Sequence, residues 1–183
     1  MARELILIRH AESARDFDVP AEAWDLTARG RAPAEALAGA EFWPRVDLLL
    51  TSDERKAMAT AAPAAARHGL TAVPEPGLRE VRRPAGRIEP WEAAVRGYLE
   101  GRGEALGWEP AASAGSRIAA SLGKALLEHP AATIAAVSHG SVLALYVGRL
   151  LGLEDVHALW SEIPFAAWAS LDPDEPRLLR RFG

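Results

Sequence analysis

Two short apolar runs in this sequence each lead into a histidine. Leu5-Ile6-Leu7-Ile8 is followed by Arg9-His10-Ala11-Glu12, and Ala135-Ala136-Val137 is followed by Ser138-His139-Gly140. An imidazole serves as nucleophile or base near neutral pH, and a guanidinium is a fixed cation with a fork of donors for an anion. A buried strand delivering such groups at its carboxyl end places them at a sheet rim, where open α/β proteins bind their ligands. Two strands ending this way predict one site with two imidazoles and an arginine beside them.

The elements that must hold this site alternate in type. Residues 5–8, 46–50 and 133–137 read as short buried strands, and 70–73 as a further strand ended by Pro74. Residues 27–40 predict a helix with Thr27 as N-cap, and 53–68 an alanine-rich helix closed by Gly69. Ile118, Leu122 and Leu126 stack on one face of a third helix that stops before Pro130. A fourth spans 141–151 and is closed by Gly152, and 165–171 with 177–182 predict a final hairpin around Asp172-Pro173-Asp174. Strands alternating with helices imply a three-layer α/β/α sandwich with a mainly parallel sheet. Residues 82–110, rich in Arg, Gly, Pro and Trp, break this rhythm, with a short helix expected from Pro90 at its first position. They are read as a cap-like insertion over the rim of a single domain spanning 1–183.

Composition narrows the function. The chain has 183 residues, 49% of them hydrophobic and 25% charged, which suits an ordinary globular domain. A net charge of −4 offers no basic field for nucleic acid or an anionic membrane. The absence of cysteine excludes disulfides, thiolate metal sites and a thiol nucleophile. The first apolar run, 5–8, is too short for a signal or membrane segment, so a cytoplasmic protein is expected. His68, His129 and His157 sit near helix ends, where dipole contacts account for them.

Between the two histidine turns come Leu26-Thr27-Ala28-Arg29-Gly30, then Thr51-Ser52-Asp53-Glu54-Arg55-Lys56-Ala57-Met58-Ala59-Thr60-Ala61, then Leu78-Arg79-Glu80. In order and spacing these segments resemble the histidine phosphatase superfamily, also called the phosphoglycerate mutase-like family, over nearly the whole chain. The resemblance implies a phosphohydrolase acting on a small phosphorylated metabolite. His10 would attack phosphorus and carry a transient phosphohistidine, splitting a very slow hydrolysis into two steps. Arg9, Lys56 and His139 would hold the phosphoryl oxygens, and the backbone N–H groups from Gly140 onward would add anion affinity. These cations would also keep His10 neutral near neutral pH. Glu80 stands at the general acid's position, and a carboxyl beside a bound dianion keeps its proton more firmly, which suits it to donate. No metal and no cofactor is called for.

The sequence departs from the family at several points, one of them within its pattern Ser-Ser-Pro-Leu-x-Arg-Ala. Lys56 stands where arginine is usual, a point charge in place of a planar fork, while Arg55 lies one residue earlier. Asp16 stands where sugar-phosphate members often carry asparagine, and an acid there repels a dianion unless it points away. Arg82 and Arg83, in a run with Arg79 and Arg87, are candidates to bind a second anionic group, and Trp91 and Trp108 to line a substrate pocket.

Other functions share this pattern. Phosphoglycerate mutase-type transfer, a protein-phosphohistidine phosphatase and a non-catalytic phospholigand module all fit the fold. Residues 136–140 loosely match the G-x-S-x-G elbow of α/β-hydrolases, but the required acid and then histidine downstream are met only by Asp155 and His157. That chemistry leaves Arg9 and His10 unexplained and is rejected.

Overall fold

The aliphatic run at the N-terminus becomes the middle of the sheet. In a computed structural model, which describes residues 3–84, 86–102 and 107–183, β1 (Leu5–Arg9) pairs in parallel with β4 (Ile134–Ser138) and antiparallel with β5 (Trp168–Asp172). Successive side chains of a strand point to opposite faces. Leu5 and Leu7 accordingly pack with Ile118 and Leu122 of α4 (Ala111–Glu128) and Val142 and Leu143 of α5 (Gly140–Leu151). Ile6 and Ile8 pack with Leu37 of α1 (Ala28–Leu37) and with Ala57, Ala61 and Ala64 of α2 (Arg55–His68). All four β1 aliphatics are buried, each contributing about 1.5–3 kcal/mol by transfer from water.

The sheet has six strands in the order β3-β2-β4-β1-β5-β6, where β2 is Leu48–Thr51, β3 is Ala72–Pro74 and β6 is Arg177–Arg180. The first four are parallel, and β5 and β6 form the antiparallel edge. This is the expected layered α/β architecture, with a mixed rather than purely parallel sheet.

Several element limits differ from the sequence reading. The strand read from residue 46 starts at Leu48, because Trp43–Arg45 forms a helical turn whose last bond is donated by the Val46 N–H. The first helix stops at Leu37 and the second begins at Arg55, while Gly69 and Gly152 close their helices at φ 65° and 63°. Pro90 is the N-cap of α3 (Trp91–Gly97), one position before the helix proper. The short α6 (Val156–Ser161) was not foreseen; its signal is Asp155, whose carboxylate accepts from the Ala158 N–H at 2.8 Å. Of the segment 82–110, residues 85 and 103–106 lie outside the described residues. Among the described residues, no helix is long and apolar enough to cross a membrane.

Candidate active site

The register of β1 and β4 creates the site. Arg9 stands opposite Ser138, so the next residue on each strand, His10 and His139, leaves the sheet at the same edge. The His10 N–H donates to the Ser138 carbonyl at 2.9 Å, and the two imidazoles meet edge to face with ring centroids 5.0 Å apart. Both rings are buried.

His10 has one ring nitrogen committed. Its Nδ1 lies 2.7 Å from the Ala11 carbonyl oxygen, which can only accept, so Nδ1 carries the proton and Nε2 keeps its lone pair. Burial pushes its pKa well below the usual 6.5, and the charges of His139, Lys56 and Arg9 push in the same direction, outweighing the Ala11 bond. The turn after it is fixed from below: the Ala11 N–H donates to Thr60 Oγ1 at 2.9 Å, and that hydroxyl donates to the Lys56 carbonyl at 2.8 Å. Gly30 allows the same turn to approach α1, since a Cβ there would come within 2.1 Å of the Glu12 carbonyl oxygen. These contacts explain why threonine and glycine belong to the pattern seen in the sequence.

His139 is also held neutral, by burial first and then by the positive fields of Lys56, Arg83, Arg9 and Arg117. Its Nε2 is 2.8 Å from Ser52 Oγ, and its Nδ1 has no partner among the described residues.

The cations are arranged unequally. Arg9 turns its guanidinium toward the Ile163 carbonyl, to which Nη1 donates, and lies 4.1 Å above the ring of Phe165. Phe165 also packs against His10, centroids 5.5 Å apart. Burial, opposed by Glu80 and reinforced by Arg15, brings the Arg9 pKa down to about 10, so it remains a cation at neutral pH. A Cβ at Gly140 would stand 3.1 Å from Arg9 Cζ, so the glycine opening α5 leaves room for this guanidinium. Lys56 is buried beside the histidines, whereas Arg55 is exposed on the first turn of α2. Lys56 Nζ donates to the Ala21 carbonyl at 2.8 Å and to Glu54 Oε2, using two of its three protons.

Glu80 occupies the helix terminus expected to hold an anion. Its carboxylate accepts from the N–H groups of Ser141 and Val142, each at 3.3 Å, and from its neighbour Val81 at 3.0 Å. The positive end of α5 is therefore already covered by a carboxylate. Oε2 takes only one of these bonds, which leaves it an open edge. The loop carrying Glu80 is held by Arg117, which donates to the carbonyls of Gly77 and Arg79 at 2.9 Å and of Glu80 at 3.3 Å, and to the buried Glu109 at 2.7 Å.

Glu54 is the residue the sequence reading passed over. It is 5% exposed, pairs with Lys56, accepts from the Glu80 N–H at 2.8 Å and has Oε1 3.5 Å from His139 Nε2. A glutamate two residues before a buried lysine, where the pattern carries leucine, was the available signal. Ser52 was legible only as a member of the family pattern, and Arg117 carried no sign of its role in sequence.

The remaining candidates are sorted by the structure. Arg82 is drawn off to Glu109, donating from both its backbone and its guanidinium, and Arg83 lies between Trp24 and Trp91. Asp16 is exposed and turned onto its own loop, accepting from the Asp18 N–H at 3.0 Å. Trp91 borders a cavity beside Glu54 and Glu80, whereas Trp108 is buried against Tyr98 and serves the core. Among the described residues, no group of three or more His, Asp or Glu is placed to hold a metal ion. A neutral imidazole with a free Nε2, set among cations, is arranged to attack a centre that carries negatively charged oxygens.

The sequence matches the histidine phosphatase superfamily (branch 1) over residues 5–180. Among curated proteins none matches it in sequence. Solved structures share the fold. The native mycobacterial glucosyl-3-phosphoglycerate phosphatase is 23% identical at a TM-score of 0.74, covering 100% of this chain and 97% of that one. Phosphoserine phosphatase from Entamoeba histolytica, in complex with 3-phosphoglyceric acid, is 20% identical at a TM-score of 0.79, covering 99% and 96%. A mycobacterial hydrolase is 22% identical at 0.76, covering 98% and 89%. With a family match that takes in both histidine turns and the sheet between them, the chain belongs to the histidine phosphatase superfamily (branch 1) and is a phosphatase of α/β fold.

Proposed function

We propose that this phosphatase hydrolyses phosphate monoesters of small metabolites through a phosphohistidine on His10. The observation that carries the reading is the state of His10: a buried neutral ring, Nδ1–H anchored on Ala11 and Nε2 free, facing His139. In the first step Nε2 attacks phosphorus, the P–O bond to the alcohol breaks, and Glu80 Oε2 delivers a proton to the leaving oxygen. In the second, water attacks phosphorus, its proton passes to Glu80, the P–N bond breaks, and inorganic phosphate leaves with the ring restored. Lys56, Arg9 and the unpartnered Nδ1 of His139 supply positive charge and a hydrogen bond to the phosphoryl oxygens as charge redistributes. The neighbouring structures include phosphatases named for small phosphorylated compounds, which supports a substrate of that size. The described part of the segment 82–110 acts as a cap beside this site, lining the adjoining cavity through Arg83, Ile88 and Trp91.

The test is release of inorganic phosphate from an aryl phosphate, followed beside transfer between phosphoglycerates in the presence of a bisphosphate primer. Hydrolysis that is lost in His10→Ala supports the reading. Transfer without net release would assign a mutase instead.

A further inference from the structure

The cavity that adjoins the site has a volume of about 370 Å³ and meets it at Glu54 and Glu80, within the size range of small-molecule sites. Trp24 and Trp91 are its largest lining side chains, with Phe17, Val19 and Ile88 among the other apolar ones. Two of the guanidiniums on this lining lie against the indoles. Arg83 lies 4.8 Å from the Trp91 ring centroid and 5.7 Å from that of Trp24, and Arg15 lies 5.4 Å from Trp91.

These two arginines differ from their neighbours in having no carboxylate. Arg79 is paired with Asp53, Arg82 with Glu109 and Arg87 with Glu89, whereas neither Arg15 nor Arg83 has an ion-pair partner among the described residues. Of the carboxylates that border the cavity, Glu54 holds Lys56, Glu80 caps α5, and Glu22 is exposed and makes no ion pair with either arginine among the described residues. Two like charges over one indole repel each other, and an anion between them removes the repulsion. Indole faces hold the guanidinium planes by cation–π contact and leave their donor edges free for a planar bidentate acceptor.

The geometry points to a leaving-group subsite that selects phosphomonoesters whose organic part bears a carboxylate, bound by Arg15 and Arg83 where they stand against Trp24 and Trp91. This rests on the phosphohydrolase reading and adds the substrate class to it. It also divides the arginine run seen in the sequence, since Arg83 faces the substrate and Arg82 fastens the loop to Glu109.

The test compares phenyl phosphate, para-carboxyphenyl phosphate and para-carbamoylphenyl phosphate, the last matching the second in shape without its charge and carrying the better leaving group, so that it is favoured on chemical grounds alone. The expected kcat/KM for the carboxylate exceeds that for the carbamoyl ester by about tenfold or more, the lower end of what charge-assisted hydrogen bonds supply, and the difference resides in KM. In Arg83→Gln and Arg15→Gln that ratio falls toward one, whereas Arg31→Gln, which removes a distant surface charge from α1, preserves it. Turnover of all three esters at a ratio near one in the wild type overturns the subsite and leaves the phosphatase reading standing. No turnover of any of them overturns both.

Discussion

Glu54 and Lys56, both buried, form an ion pair at the floor of the site, at the start of α2. The two residues depart from the family pattern together: glutamate replaces leucine where lysine replaces arginine. A buried ammonium without a counter-charge is strongly disfavoured, and Glu54 supplies that charge while the site is empty. An incoming phosphate must then share Lys56 with a carboxylate that repels it. Glu54→Gln is expected to tighten competitive inhibition by inorganic phosphate by about tenfold, and to lower stability by about 3 kcal/mol because it leaves Lys56 partly uncompensated. Inhibition kinetics and urea unfolding check the two effects. Unchanged phosphate inhibition would show that the carboxylate does not compete.

Arg117 acts on the chemistry from outside the site. It joins three carbonyls of the 77–80 loop to the buried Glu109, whose pKa is held below its ordinary value because bonds from Arg117 and the Arg82 N–H, with both their charges, outweigh burial. Arg117→Ala is expected to lower stability by about 2 kcal/mol, less than for a fully buried pair because Arg117 itself reaches solvent. It should also reduce kcat more than it alters KM, as expected when Glu80 is misplaced rather than substrate binding lost. Arg117→Lys should recover stability better than kcat, since one ammonium cannot span the loop. Equal loss in kcat and 1/KM would argue against a positioning role.

The two histidines set the pH behaviour. Burial comes first among the causes that hold both imidazoles well below 6.5 in the folded chain, while the unfolded chain takes up protons near that ordinary value. As pH falls below 6.5 the unfolded state therefore binds more protons than the folded state. Their contribution to stability is complete above 6.5 and is lost as pH falls from there toward the folded values. Ring-nitrogen NMR at about pH 5.5 should show His10 and His139 neutral, with His10 protonated at Nδ1. Imidazolium signals for both at that pH would contradict the site electrostatics.

The legible parts of the molecule were those set by local pattern. Leu5–Arg9 and Ile134–Ser138 are short aliphatic runs ending in polar residues, and the pairing of their carboxyl ends was foreseeable from the two histidines. What escaped the sequence depends on side-chain direction. Glu54 stands at the N-terminus of a helix, where an acid reads as a solvated partner of the dipole, and only the packing of α2 under β2 and β4 turns it inward. Arg82 and Arg83 are indistinguishable by composition, yet the first pairs with Glu109 and the second lies against Trp24 and Trp91, a division set by tertiary contacts. The helix terminus after His139 was legible as an anion site, but that Glu80 itself covers it required the tertiary structure.

Everything proposed for this site turns on covalent phosphorylation of His10 during turnover. Rapid-quench labelling with a phosphate-labelled aryl ester tests it directly. An acid-labile, base-stable phosphoenzyme is expected, formed within a single turnover and absent in His10→Ala. Turnover with no labelled enzyme at any quench time, or a label that persists in His10→Ala, would contradict it.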